Sequence, residues 1–135
     1  MGSRLAIPVS QMAPMENRIH HITHQGKPVI VIDFSQCEPN QLLEIVDEVQ
    51  LQIAEHEPNS VLTLADFTGA HVDKAVAARI KEALVFDRPY VKRSAWVGIE
   101  SLPKVFYENF KTFSQRDFPG FSSREEALDW LVGEE

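Results

Sequence analysis

The chain alternates short, unbroken apolar runs with stretches whose apolar residues step by three and four. Val29-Ile30-Val31-Ile32 is the clearest run. Four consecutive apolar residues mean burial on both faces, as in the middle of a helix-covered sheet. Residues 60–65 (Val61, Leu62, Leu64) and 91–99 (Ala95, Trp96, Val97, Ile99) read as further strands. Ile19 to Thr23 is a short strand joined to the 28–34 strand by the tight turn Gln25-Gly26-Lys27, so the first two strands form a hairpin.

Between the strands the period changes. Leu42, Val46, Val49 and Ile53 form one helical stripe, opened by Glu38-Pro39-Asn40 and ended by Glu57-Pro58-Asn59. Val76, Ile80, Ala83 and Leu84 form a second, with Asp73 as its N-cap and Arg88-Pro89-Tyr90 as its break. Ser101 is placed to cap a third helix carrying Leu102, Phe106, Phe110 and Phe113. Asp117 to Phe121 gives a short edge strand. Ser122-Ser123-Arg124-Glu125 is a capping box before a last helix with Ala127, Leu128 and Leu131. The order ββαβαβα(β)α predicts an α/β fold: a single mixed, mostly parallel sheet of 4–5 strands with helices packed on it. The domain spans 17–133. Residues 1–16, with Pro8 and Pro14, read as an extended N-terminal arm; Met15 offers an alternative start that would make 1–14 an upstream extension.

Composition narrows the function classes. The formal net charge of −7 over 135 residues opposes general nucleic-acid binding and docking on anionic membranes. No apolar run approaches the ~18 residues of a membrane span. The single cysteine, Cys37, excludes an intramolecular disulfide and a Cys-rich metal site, and suits a reducing cytoplasm.

Several segments together resemble the SpoIIAA-like, or STAS-like, family of small bacterial domains. They are residues 29–35 (Val-Ile-Val-Ile-Asp-Phe-Ser), 60–69 (Ser-Val-Leu-Thr-Leu-Ala-Asp-Phe-Thr-Gly), 90–98 (Tyr-Val-Lys-Arg-Ser-Ala-Trp-Val-Gly) and 123–131 (Ser-Arg-Glu-Glu-Ala-Leu-Asp-Trp-Leu). The resemblance implies a STAS-type fold and kinship with anti-sigma factor antagonists, which are switched by phosphorylation of a serine at a helix start. The related CRAL-TRIO fold holds lipids. Asp66-Phe67-Thr68-Gly69 and Asp73 follow the family pattern, but Lys74 and Ala75 stand where the phosphorylated serine belongs. Without that hydroxyl, phosphorylation cannot add its charge at this helix start.

The candidate chemistry gathers at the strand ends. Asp33 and Asp66 fall at the carboxyl ends of neighbouring strands, where open α/β sheets bind ligands. They are either a two-carboxylate pair or acceptors for loop and helix N–H groups. His71 lies in the loop between Asp66 and Asp73, where an imidazole beside carboxylates titrates near neutrality. His20 and His24 share a strand face about 13 Å apart, at ~3.3 Å per residue, so they cannot hold one ion. Cys37 precedes a helix, where a thiol is either activated or simply packed. Val105, Phe106, Tyr107 and Phe110 exceed one narrow stripe, which points to an apolar pocket at Phe106 and Phe110 or to a homodimer interface.

The leading expectation is a non-enzymatic, cytoplasmic regulatory module with no cofactor or metal. It would engage a protein partner through Asp33, Asp66, Thr68, Gly69, His71 and Asp73. A carrier of a small apolar, lipid-like ligand is the second reading. An enzyme using Asp33, Asp66 and His71 is the third.

Overall fold

A computed structural model describes residues 18–133; the expected arm over residues 1–16 lies outside them. Strand β1 (Ile19–His24) pairs antiparallel with β2 (Lys27–Asp33), with Ile22 opposite Val29. Gln25 and Gly26 both have positive φ, 51° and 84°, which is the primed turn that matches strand twist. Strands β3 (Val61–Asp66), β4 (Val91–Val97) and β5 (Gly120–Phe121) add in parallel, giving a five-stranded sheet in sequence order.

Helices α1 (Pro39–Ile53), α2 (Lys74–Asp87) and α3 (Lys104–Ser114) make the crossovers, and α4 (Arg124–Val132) follows β5. Parallel crossovers are right-handed. Three that step the same way across a sheet must lie on one face, and α4 closes the other. The core divides accordingly. Ile30, Ile32, Ala65 and Trp96 pack with α1–α3; Val29, Val31, Leu64 and Ala95 pack with Ala127 and Leu131 of α4. Cover on both faces is the physical reason the strands read as unbroken apolar runs. The α/β fold and its mixed, mostly parallel sheet are those expected from the sequence. Among the described residues no helix is long and apolar enough to cross a membrane.

Three local expectations are corrected. Ser101 ends a short 3-10 turn, Ile99–Ser101, and α3 begins only at Lys104 after Pro103. The Ser101 hydroxyl instead accepts the Gly69 N–H at 2.7 Å. Phe113, placed on the buried stripe by its spacing, is 56% exposed. The capping box expected before α4 is only half formed: the N-cap Ser123 accepts the Glu126 N–H, while Glu126 accepts from Ser122, one residue before the cap.

Candidate functional site

The two Asp-Phe-hydroxyl tripeptides are built alike. In each, the carboxylate folds back on its own turn. Asp33 Oδ1 accepts the Ser35 N–H at 3.0 Å and the Ser35 hydroxyl at 2.5 Å. Asp66 Oδ1 accepts the Thr68 N–H at 3.0 Å and the Thr68 hydroxyl at 2.7 Å. The intervening phenylalanines turn into the core. Phe34 stacks on Phe67 at 4.8 Å, Phe67 packs on Trp96 at 4.7 Å, and Trp96 stacks on Phe118 at 4.6 Å. The repeated motif therefore ends a strand, closes a turn and places a ring in an aromatic column across the sheet.

The outer carboxylate oxygens are held by two arginines. Arg124 of α4 reaches the outer Asp66 Oδ2 with Nε at 2.8 Å and, with a terminal nitrogen, the inner Asp33 Oδ1 at 3.2 Å. Arg18 stands 3.5 Å from Asp33 and donates to the Ser35 carbonyl at 2.8 Å. Burial pushes the Asp66 carboxyl up. The Thr68 hydroxyl and N–H and the Arg124 guanidinium outweigh that and hold it below its ordinary value. A carboxylate so engaged is a poor proton acceptor at neutral pH. Among the described residues no three His, Cys, Asp or Glu side chains are grouped to hold a metal ion.

The rest of the predicted edge stands apart from this clamp. His71 Nδ1 lies 3.0 Å from Glu38, both side chains 64% exposed, rather than pairing with Asp33 or Asp66. Asp73 caps α2 through the Val76 N–H at 2.8 Å. Thr68 is exposed, and Gly69 takes a φ of 70°. The six residues share one edge of the sheet, but the Asp33–Asp66–His71 constellation of the enzyme reading does not assemble. Cys37 is fully buried, and burial pushes its thiol up.

The expected pocket at Phe106 and Phe110 also takes a different form. Phe110 is fully buried against Trp96, 5.9 Å away. With Phe106 it lines a surface groove of about 150 Å³ between α2 and α3 whose other walls include Lys74 and Lys81. The most apolar pocket lies elsewhere, between the sheet and helices α1 and α2. It measures about 50 Å³ and is walled by residues such as Val46, Val49, Ile53, Ile80 and Ala83.

One end of this cavity is polar. Thr63 and Ser94, opposite one another on β3 and β4, share a hydrogen bond at 2.7 Å. Arg116 donates to Ser94 Oγ at 2.8 Å and to the Leu84 carbonyl at 2.9 Å. Asp87, at the end of α2, is 6% exposed, and its Oδ1 has no hydrogen-bond partner among the described residues. Burial pushes its carboxyl up to about 7, against the pull of Arg116 and then Arg79. Burial likewise lowers Arg116 to about 10, which leaves it charged at neutral pH.

Comparison with family models, with curated proteins and with solved structures returns no match. The site must therefore be read from its own geometry.

Sequence reasoning passed over Arg18, Arg124, Asp87 and Arg116. A signal existed for one of them. Asp87 follows Ile80 and Ala83 at helical spacing, so it is a carboxyl on an apolar stripe. Arg116 carries no comparable signal, because its acceptors lie 32 and 22 positions away.

Proposed function

We propose that this chain is a non-catalytic module that binds a small ligand in the cavity under α1 and α2. An apolar end of the ligand enters between Val49, Ile53 and Ile80, and its polar end meets Asp87, Ser94 and Arg116. The observation that carries this reading is the buried Asp87, which lines an apolar cavity and whose Oδ1 has no partner among the described residues. Native proteins pair nearly all buried polar groups, so a carboxyl oxygen left over beside a cavity is available to the polar end of a guest. A volume of about 50 Å³ restricts the guest to a group of a few heavy atoms, well short of a fatty-acid chain.

Methyl-resolved NMR with 1-propanol and 1-propylamine tests the reading. Saturable shifts confined to the Val46, Val49, Ile53 and Ile80 methyls support it. A cavity that holds water alone and shows no saturable response sinks it. Ala83→Leu, which fills the space, should abolish the response while the fold persists.

A second reading keeps the cytoplasmic, STAS-like partner module. It is favoured by the exposed Thr68 and His71, displayed above turns that the Arg124 clamp and the Ser101 hydroxyl hold in place. Photo-crosslinkers placed at positions 68 and 71 would yield a defined partner under this reading. Crosslinking no different from that at a remote exposed position such as Glu55 would reject it.

A further inference from the structure

The chain carries a formal net charge of −7, yet one surface cleft is lined by four of its cations. They are Arg88, Lys92, Arg93 and Arg116, beside Trp130 and a single acid, Asp117. The cleft measures about 310 Å³, the size of a compact small-molecule site.

Three features of the fold create it. Strand β5 covers only Trp96 and Val97, so the first part of β4 is an open edge. A bulge interrupts the β3–β4 ladder: Val61 faces Val91 and Leu62 faces Arg93, which leaves Lys92 as the extra, exposed residue. Bulges of this kind re-aim side chains beside functional sites. The chain between α3 and β5 then brings in Arg116, and the turn after α2 brings in Arg88.

Two of the four cations are held in place by uncharged acceptors, and the Asp87 carboxyl lies near enough to Arg116 for each to shift the other. Arg93 stacks over Trp130 with its guanidinium carbon 3.8 Å from the ring centre, and donates to the Gly133 carbonyl at 3.1 Å. Arg116 is held by the Leu84 carbonyl and the Ser94 hydroxyl. These acceptors are uncharged. Among the described residues, none of the four cations makes an ion pair within 4.0 Å. A cleft with low-dielectric walls focuses such a field. Two guanidinium forks already fixed in place, with a point-charge ammonium beside them, suit a compact dianion with several acceptor oxygens. A single carboxylate would leave most of the charge unmatched.

We propose that this cleft binds a small phosphorylated molecule, its phosphoryl group held by Arg88, Lys92, Arg93 and Arg116. The cleft shares Val91, Ser94 and Arg116 with the interior cavity. The two spaces therefore adjoin along these residues, and an apolar end of the same molecule passes beside Arg116 into the cavity; that extension rests on the function proposed above.

The test is an NMR titration of the full chain with inorganic phosphate and with propyl phosphate, against sodium chloride at matched ionic strength. Phosphate should give saturable shifts at the amides of 92–94 and the Trp130 indole, and chloride should not. The Arg88→Gln, Lys92→Gln double variant changes two exposed side chains, and it should weaken phosphate binding by at least about tenfold. Propyl phosphate should bind about tenfold more tightly than phosphate, from burial of its chain. The cleft assignment is overturned if phosphate behaves like chloride or the double variant binds as well as the parent. A concentration-dependent dimer through the open β4 edge that shuts phosphate out overturns it too. If phosphate binds as described and propyl phosphate gains nothing, the cleft stands and the cavity reading falls.

Discussion

The substitution Asp87→Asn isolates the buried carboxyl. In the folded protein this group loses its proton only near pH 7, against an ordinary value of 3.8. A rise from 3.8 to about 7 corresponds to about 4 kcal/mol, at about 1.36 kcal/mol per pH unit. The sign follows from proton counting. Between about pH 4 and pH 7 the folded chain holds a proton that the unfolded chain has released, so stability falls as pH rises, by at most about 1.4 kcal/mol per unit. Arg116, at about 10, keeps its charge through this window. Asparagine preserves the shape and does not titrate. Urea unfolding followed by tryptophan fluorescence, between about pH 4.5 and pH 8, should show the variant ahead by only about 1 kcal/mol at the acid end. The variant should become the more stable by up to about 4 kcal/mol at the alkaline end. The histidines are common to both proteins and cancel in the difference. A difference that stays flat across the range would refute the argument, since it would mean that Asp87 is hydrated like a surface carboxylate. The function proposed for the cavity would then lose the observation that carries it.

Other substitutions address the edge and the turns. Arg124→Met leaves Asp66 Oδ2 without its charged donor and should cost about 2 kcal/mol, less than a fully buried pair because the guanidinium is 41% exposed; a loss below about 0.5 kcal/mol in urea unfolding contradicts the clamp. Asp66 is held below its ordinary 3.8, so its contribution is present above that value and is lost as pH falls through the lower folded one. Asp66→Asn should lack this part of the acid-induced loss. Gly98 has a φ of 77°, and a Cβ there would run into the Thr68 backbone, whereas Gly26, at 84°, faces open space. Gly98→Ala should therefore cost well over 2 kcal/mol and Gly26→Ala only about 1, measured as shifts in urea midpoint. Cys37, buried with its thiol pushed up, should resist iodoacetamide in the native protein and react at an ordinary rate once unfolded.

Much of this architecture is local information and was legible in the chain. Cover on both sheet faces demands apolar side chains at successive positions, so Val29 to Ile32 announce a central strand without reference to any neighbour. Helix stripes, the Asp73 cap and the positive-φ turn at Gly26 are likewise set within a few residues. The same locality explains the error at Ser101. A serine ahead of an apolar period reads as a cap, but Pro103 starts the helix later and the hydroxyl serves Gly69, 32 positions away. The twin Asp-Phe-hydroxyl ends show both sides of the division. Their turns are local, since each carboxylate binds a hydroxyl two residues on. Their electrostatic state is not, because Arg124 reaches Asp66 across 58 positions. The cavity and the cationic cleft belong wholly to the tertiary structure. An orphaned carboxyl at Asp87 and a cluster drawn from residues 88, 92, 93 and 116 arise only when the crossovers dock and β5 stops short. Sequence by itself determined which segments could pack as strands and helices, because that depends on periodic burial. Which polar groups would meet, and which would be left without a partner, was decided by docking distant segments, where separation in space is independent of separation along the chain.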